Sequence, residues 1–202
     1  VRSLDFAREM KNRIIGFIGP YGSGNTTLAT RLSQQSKLPR ITTGDIIRNL
    51  AENDMGPLGE ECRTMFAANG YLSGESLLKI LVQRFCQEDV ANGLILDGGM
   101  RTLKETSDFR KVLDQANLRL PLTVIHLQIP YRTSYFRLVL GKNARKRTDD
   151  TLTGVFGRLS KFHLQLQERI AVIQDQPDWE LRQVNANRGI EEVFQEVLLQ
   201  LT

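Results

Sequence analysis

Short, nearly continuous apolar runs alternate along the chain with longer segments in which apolar residues recur every three or four positions. The runs at residues 13–19, 94–97 and 122–129 are apolar enough for strands covered on both faces. Residues 178–184 form a weaker strand candidate, and residues 40–42 form a short one. The periodic segments predict helices over residues 25–36, 44–53, 57–69, 75–89, 102–116, 131–141, 149–175 and 189–201.

The alternation of strands and helices predicts the fold class. Strand followed by helix, repeated along the chain, is typical of an α/β protein with a parallel sheet and right-handed crossovers. We therefore expect a three-layer structure around a five-stranded parallel sheet, with a core of residues 13–43, 91–140 and 149–202. Residues 44–90 hold three consecutive helical patterns and predict a small helical lobe, and residues 141–148 form a short basic connection.

The overall composition excludes several classes of protein. Of 202 residues, 41% are hydrophobic and 25% are charged, which is typical of a globular domain. No apolar run approaches the roughly 18 residues that a membrane-spanning helix needs. The charged opening of the chain does not resemble a secretory signal. Cys62 and Cys86 show no metal-binding pattern, so we expect reduced thiols in a cytoplasmic protein that has no contact with membranes.

Positive charge is concentrated in one part of the sequence. The net charge is only +4, but residues 131–148 carry six basic residues and no acidic one. These are Arg132, Arg137, Lys142, Arg145, Lys146 and Arg147. Such a run attracts phosphate groups, which nucleic acids, membrane surfaces and nucleotides all carry. Taken alone, the run is more often a solvated helix face.

A glycine-rich segment after the first predicted strand is the most informative part of the sequence. The strand ends at Gly19, the residues PYGSG follow, and a helix is predicted to begin near Asn25. Successive backbone N–H groups and a helix N-terminus in this order bind phosphate. The pattern G-x-x-x-x-G-K-[ST] maps onto Gly19, Gly24, position 25 and Thr26, with asparagine where the pattern has lysine.

The asparagine at position 25 changes the expected chemistry. The lysine of such loops contributes a positive charge to the β- and γ-phosphates during transfer. Asn25 can donate a hydrogen bond but carries no charge. Loss of one preorganised group of this kind costs roughly 2.7–4 kcal/mol of transition-state stabilisation. Nucleotide binding can therefore persist where catalysis is impaired.

Two further groups of residues fit phosphate chemistry. Asp97 ends the predicted strand GLILD, where it and the Thr26 hydroxyl are suited to hold Mg²⁺. Taken alone, Asp97 is equally a turn residue before two glycines. Arg147 and Arg158 are eleven positions apart, close to three helical turns, so both face one side and can clamp separate phosphates. The alternative is a pair of surface arginines.

Four segments in order resemble the adenylate kinase family of nucleoside monophosphate kinases. GPYGSGNTT (19–27) is similar to the family's G-x-P-G-x-G-K-G-T loop, and ITTGDIIR (41–48) to its I-S-T-G-D-x-x-R segment. GLILDGGMRT (93–102) resembles G-F-x-L-D-G-F-P-R-T, and RTDD (147–150) with Arg158 resembles the lid arginines. The resemblance extends over residues 13–200. It implies a P-loop kinase fold in which 44–90 is the monophosphate-binding lobe and 141–148 a short lid.

The resemblance also implies roles for individual residues, with ATP and Mg²⁺ as cofactors. The ATP side would comprise Gly22, Ser23, Gly24, Asn25, Thr26, Thr27, Arg137 and Arg188. The acceptor side would comprise Thr43, Arg48, Tyr71, Leu72, Ser73, Gly98, Arg101 and Glu105. The catalytic set would be Asn25, Arg101, Arg147 and Arg158, and the metal residues Thr26 and Asp97. The family also implies a monomer.

Three departures from the family pattern keep alternatives open. Besides Asn25, the family's F-P reads Gly99-Met100, and a glutamine that faces the acceptor base reads Glu105. A carboxylate only accepts hydrogen bonds, so Glu105 suits guanine, whose N1–H and amine both donate, unless it points to solvent. The leading hypothesis is a nucleoside monophosphate kinase acting on AMP or another monophosphate.

Two other functions compete with the kinase hypothesis. The first is a catalytically silent nucleotide sensor or regulatory protein on the same fold, as the departures at Asn25, Gly99-Met100 and Glu105 would suit. The second is nucleic-acid binding through residues 131–148. We expect no nucleic-acid partner, because the sequence offers neither a reading helix nor an aromatic platform.

Overall fold

A five-stranded, all-parallel sheet runs through the protein, in a computed structural model that describes residues 2–67, 72, 74–140 and 152–202. The strands are β1 (Arg13–Ile18), β2 (Arg40–Ile41), β3 (Gly93–Asp97), β4 (Leu122–Gln128) and β5 (Trp179–Asn185). Their order across the sheet is β2-β3-β1-β4-β5. Every neighbouring pair is parallel, which confirms the predicted fold class.

Ten α-helices surround the sheet in the part of the chain that the structure describes. They are α1 (Arg2–Glu9), α2 (Asn25–Ser36), α3 (Thr43–Asn53), α4 (Pro57–Ala67), α5 (Gly74–Phe85), α6 (Leu103–Gln115), α7 (Tyr131–Tyr135), α8 (Leu152–Leu164), α9 (Leu166–Gln174) and α10 (Ile190–Leu201). A short 3₁₀ turn spans Glu88–Val90, and a π turn spans Phe136–Leu140. None of the described helices is both long enough and apolar enough to cross a bilayer.

The central strands are buried on both faces because their residues alternate between two hydrophobic layers. Ile15 and Phe17 of β1 pack with α2 and α10 on one side of the sheet. Ile14 and Ile18 point to the other side, where they pack with α5, α6 and α9. This explains why the sequence shows continuous apolar runs here rather than alternating ones.

The three helices of the predicted lobe share a small core of their own. Ile47 of α3, Cys62 of α4 and Ile80 of α5 are buried against one another. Helix α5 also contributes Leu81 and Phe85 to the layer that covers the sheet. The lobe therefore joins the sheet through α5.

The predicted helix over residues 149–175 is wrong in one respect, because the described part of it forms two helices, α8 and α9, separated at Gln165. The Gln165 Oε1 atom accepts a hydrogen bond from the backbone N–H of Leu103 at 3.1 Å. The Gln165 side chain thus accepts from a backbone N–H that has no partner within the first turn of α6. The predicted helix 131–141 likewise changes to a π turn after Tyr135, and α1 was not predicted.

A buried arginine connects α9 to the turn that follows β3. Arg169 is only 1% exposed. Its Nη1 atom donates to the carbonyl oxygens of Met100 at 3.1 Å and Arg101 at 2.7 Å, and Nη2 donates to that of Phe162 at 3.4 Å. Burial lowers the pKa of Arg169. The guanidinium thus holds the turn at the end of β3 by its carbonyl groups.

His126 is the second buried ionisable residue on this side of the sheet. It lies on β4 and is 4% exposed. Burial, together with the positive charges of Arg169 and His163, lowers its pKa from 6.5 to about 4. His126 is therefore neutral in the folded protein at neutral pH. The unfolded chain binds a proton at this residue at a higher pH than the folded chain does.

We expect the protein to lose stability as the pH falls from about 6.5 to about 4. In this window His126 is protonated in the unfolded state but stays neutral in the folded state, so the free energy of unfolding falls by roughly 3 kcal/mol. Chemical denaturation at a series of pH values measures the slope. His126→Leu should reduce this dependence of the unfolding free energy on pH. His163→Gln measures how much His163 contributes to it. An unchanged slope in His126→Leu would contradict this assignment.

We also expect Arg169→Met to raise the pKa of His126, because the substitution removes a nearby positive charge. An NMR titration of the His126 ring protons measures this shift directly. Arg110→Met is a matched control, since Arg110 pairs with Asp178 and stacks over Trp179. An unaltered His126 pKa in Arg169→Met would mean that burial sets the value by itself.

Candidate active site

Two adjoining cavities lie at the carboxyl edge of the sheet. The larger has a volume of about 1100 Å³ and the smaller about 200 Å³. The larger is lined by these predicted site residues: Gly22, Ser23, Gly24, Asn25, Thr26, Thr27, Arg48, Asp97, Gly98, Arg101, Arg137, Arg158 and Arg188. The smaller is lined by Thr43, Leu72 and Glu105. Tyr71, Ser73 and Arg147 lie outside the described residues.

The phosphate loop joins β1 to α2 through left-handed glycines. Gly22 has φ 84° and Gly24 has φ 101°, a backbone region that side chains disfavour. Gly24 is the N-cap of α2, and no side chain caps its first turn. The free N–H groups and the positive end of the helix dipole therefore face the larger cavity, as an anion site requires.

The side chain of Asn25 folds back onto the loop. Its Nδ2 atom donates to the carbonyl oxygen of Gly19 at 3.2 Å. A Cβ atom at Gly19 would lie 2.6 Å from Ser23 Oγ and 3.1 Å from Asn25 Oδ1, so a larger residue there would displace these side chains. Neither of these two buried oxygens has a hydrogen-bond partner among the described residues. Asn25 thus braces the loop internally and brings no charge to it.

Asp97 connects three elements at the end of β3. Its Oδ1 atom accepts from the Thr26 hydroxyl at 3.3 Å, and its Oδ2 atom accepts from Arg40 Nη1 at 2.5 Å. The Asp97 side chain is 6% exposed. A carboxylate oxygen beside a hydroxyl is a donor set that Mg²⁺ accepts, so Thr26 and Asp97 fit a magnesium site.

The turn after β3 separates the two cavities. Gly98, Gly99 and Met100 have φ values of 83°, 117° and 50°, three successive left-handed residues. Gly99, Met100 and Thr102 line both cavities. The guanidinium of Arg101 lies over Gly98, where an added Cβ atom would approach Nη2 to 2.8 Å. A side chain at position 98 would displace Arg101 from the larger cavity.

Glu105 has a structural contact that the sequence analysis did not predict. Its Oε2 atom accepts from the backbone N–H of Arg101 at 2.9 Å. Thr102 Oγ1 accepts from the N–H of Glu105 at 3.1 Å, so the two side chains cap the start of α6. Glu105 also lines the smaller cavity. One of its oxygens is thus engaged by the cap while the residue faces the cavity.

Helix α3, which carries the predicted acceptor residues Thr43 and Arg48, contains an ion pair. Arg48 pairs with Asp45, one turn earlier in the helix. Thr42 caps the helix by accepting from the N–H of Asp45 at 2.9 Å. Hydrogen bonds with Thr42 and Arg48 lower the pKa of the Asp45 carboxyl. Thr43 is buried, and its hydroxyl has no hydrogen-bond partner among the described residues.

Contacts are described for Arg137 and Arg188, which were predicted for the ATP side, and for Arg158, which was predicted as catalytic. Arg137 donates to the carbonyl oxygens of Gly22 at 3.1 Å, Ala186 at 2.9 Å and Arg188 at 3.2 Å. Arg188 itself pairs with Glu196 of α10. The guanidinium of Arg158 lies 5.1 Å from the ring centre of Tyr21 in the phosphate loop. These contacts place α8, α10 and the π turn around the loop.

Positive charge dominates the larger cavity. Its described cationic residues are Arg40, Arg48, Arg101, Arg137, Arg158, Lys161, Arg169 and Arg188, against the carboxylates of Asp45 and Asp97. Such a lining attracts polyanions. The sequence did not predict a place in the site for Arg40, Lys161 or Arg169. Arg40 could have been found from its position directly before the ITTGDIIR segment. Lys161 could have been found because it lies three positions after Arg158, on the same side of a predicted helix.

Comparison with known proteins identifies the family. The sequence model of the adenylate kinase family matches residues 17–176. The adenylate kinase of Mycolicibacterium paratuberculosis is 29% identical over 91% of this chain and 96% of its own length. Those of Mycobacterium sp. strain MCS and Trichodesmium erythraeum are 32% and 31% identical, over 91% and 88% of this chain and 96% and 91% of their own. Together with the loop and arginine-lined cavity, these matches show that the chain belongs to the adenylate kinase family.

Proposed function

We propose that the protein transfers a phosphoryl group reversibly from ATP to a nucleoside monophosphate and so forms two diphosphates. The observation that carries the proposal is the larger cavity, which brings the phosphate loop, Asp97 and Arg101 together in a chain of the adenylate kinase family. Phosphoryl transfer depends mainly on positioning and charge stabilisation, so no general base is needed. A cationic cavity with an anion-binding loop supplies both.

The donor nucleotide would bind with its phosphates against the first turn of α2. The N–H groups at the start of α2, those of Gly24 and Asn25 among them, would donate to phosphate oxygens. Thr26 and Asp97 would hold Mg²⁺, which supplies neutralising charge to the phosphates when it is bound. Arg158 and Arg147 would stabilise charge on the transferred group, and Arg137 would keep the loop in place through Gly22.

The acceptor monophosphate would bind between the turn after β3 and α3. Arg48 and Arg101 would contact its phosphate, which requires Arg48 to exchange Asp45 for the ligand. The base would enter the smaller cavity, where Thr43, Leu72 and Glu105 lie. Because one Glu105 oxygen caps α6, the other would accept from the base. That arrangement favours guanine, whose N1–H donates to a carboxylate oxygen, over adenine, whose N1 is itself an acceptor.

The alternative function is a nucleotide-binding protein without transfer activity. Asn25 is the observation behind it, since its amide is used inside the loop. No relative named above is described as a sensor, so the kinase is the better-supported proposal. We further infer a monomer in the cytoplasm, in keeping with the free thiols of Cys62 and Cys86.

We expect the unmodified protein to form diphosphates from ATP and a nucleoside monophosphate in the presence of Mg²⁺. Arg158→Met should lower kcat about 100-fold, because a preorganised cation is lost. A coupled assay with AMP, GMP, CMP and UMP measures the rate. Arg31→Gln, which removes a surface charge paired with Glu191, should leave the rate unchanged. Tight binding of a fluorescent ATP analogue without turnover of any monophosphate would contradict the kinase and favour the sensor.

We expect Glu105→Gln to shift the preferred acceptor from GMP toward AMP. The glutamine oxygen can still accept from the Arg101 N–H, while its amide group donates to the adenine ring nitrogen. A site rejects a base whose hydrogen-bonding groups do not match its own. The ratio of kcat/KM for AMP to kcat/KM for GMP should therefore rise at least about tenfold. The melting temperature serves as the control for the cap. An unchanged ratio would show that Glu105 does not contact the base.

A further inference from the structure

The phosphate loop of this protein has no positive charge of its own. Residues 19–27 read GPYGSGNTT, without lysine or arginine. The Asn25 amide donates to Gly19 O within the loop. Neutral N–H groups and the helix dipole hold phosphate, but a full charge is worth far more to a polyphosphate in a partly buried site. The charge that position 25 lacks has to come from another element.

Arg40 stands beside the loop without belonging to it. It begins β2 at the edge of the sheet, in register with Ile95 of β3. From there its guanidinium reaches the carboxyl edge, where Nη1 contacts Asp97 Oδ2 at 2.5 Å and Nη2 lies 3.8 Å from Asp45. The Arg40 side chain is 26% exposed and lines the larger cavity. It thus sits between the metal-side carboxylate and the acceptor-side helix.

The ion pair with Asp97 connects Arg40 to Thr26, the residue that directly follows position 25. Asp97 accepts from Thr26, the residue directly after Asn25, with one oxygen and from Arg40 with the other. A carboxylate that is 6% exposed needs a counter-charge, so the Arg40 guanidinium is held there more firmly than a surface arginine would be. Among the described residues, Arg40 is the cation joined directly to the Thr26–Asp97 pair.

Four other arginines of the cavity are bonded to groups other than Thr26 and Asp97. The guanidinium groups of Arg137 and Arg169 donate hydrogen bonds to backbone carbonyl groups. Arg188 pairs with Glu196 of α10, and Arg48 pairs with Asp45 of α3. Arg40 is unlike these because its partner, Asp97, is itself a residue of the proposed ATP and Mg²⁺ site. With Mg²⁺ held by Thr26 and Asp97, the Arg40 guanidinium would be free to turn toward phosphate oxygens.

We infer that Arg40 supplies, from the edge strand β2, the positive charge toward the donor phosphates that Asn25 does not carry. The inference rests on the proposed ATP site. A positive side chain at position 40 or at position 25 would then supply the same charge to the donor phosphates. A lysine at position 25 should therefore make Arg40 dispensable, and the loss of Arg40 should matter most while position 25 is asparagine.

A double-mutant cycle tests this coupling. The proteins are the unmodified chain, Asn25→Lys, Arg40→Gln and the double variant. The readout is the dissociation constant of ATP with Mg²⁺, measured calorimetrically, with adenosine as the ligand that lacks phosphates. We expect Arg40→Gln to weaken ATP binding at least about tenfold in the unmodified chain and less than about threefold beside Lys at position 25, with adenosine unaffected.

Three controls separate charge from structure. Arg31→Gln removes one positive charge outside the cavity and should not alter ATP binding. Arg40→Lys keeps the charge and should retain affinity within about threefold, and it serves as the second variant if Arg40→Gln does not fold. Melting temperatures of all variants show whether the Asp97 ion pair was needed for folding.

Each outcome decides the inference. Equal losses of ATP affinity from Arg40→Gln in both backgrounds, or no loss, would overturn it, as would an Arg40→Lys variant as weak as Arg40→Gln. Transfer assays on the same proteins keep the proposed function separate. Coupled binding without diphosphate formation would support the charge from Arg40 and refute the kinase. Diphosphate formation without coupled binding would support the kinase and refute the charge from Arg40. Failure of the unmodified chain to bind ATP would overturn both.

Discussion

A nearly buried carboxylate needs an opposite charge within reach, and Asp97 imposes this need on the centre of the protein. Its position at the end of β3 places it between the phosphate loop and the edge strand β2. The Thr26 hydroxyl and the Arg40 guanidinium satisfy it from these two sides. The pairing of β2 with β3 is therefore more than a way to extend the sheet, because it delivers the counter-ion of the central carboxylate.

The fold could be predicted because its signals are local. Continuous apolar runs marked the central strands, and their alternation with helices gave a parallel sheet. Helix α1 carried no such signal, since Phe6 is its partly buried contact with the core and most of its other residues are polar. The break at Gln165 depends on a hydrogen bond to Leu103, 62 residues away in sequence. No periodicity encodes a contact of that kind.

The candidate site divides in the same way. The loop glycines, Asp97 and Arg101 stand in short motifs whose spacing is visible in the sequence, and the structure brings them to one cavity. Arg40 directly precedes a motif and Arg169 lies in none, and they reach the cavity through the strand order and the packing of α9. Glu105 could be singled out by its motif, yet its bond to the Arg101 N–H follows from the geometry of the turn. Residues that act through tertiary contacts are the ones that sequence reasoning misses.

The three carbonyl contacts of Arg137 have a mechanical consequence. One guanidinium, carried by a π turn, ties Gly22 of the phosphate loop to Ala186 and Arg188 beyond β5. These segments are far apart in sequence, yet a single planar group fixes their spacing. A rotation of the π turn would therefore pull on both walls of the cavity at once. The phosphate loop and the segment after β5 are thus expected to move together, since one guanidinium bonds to both.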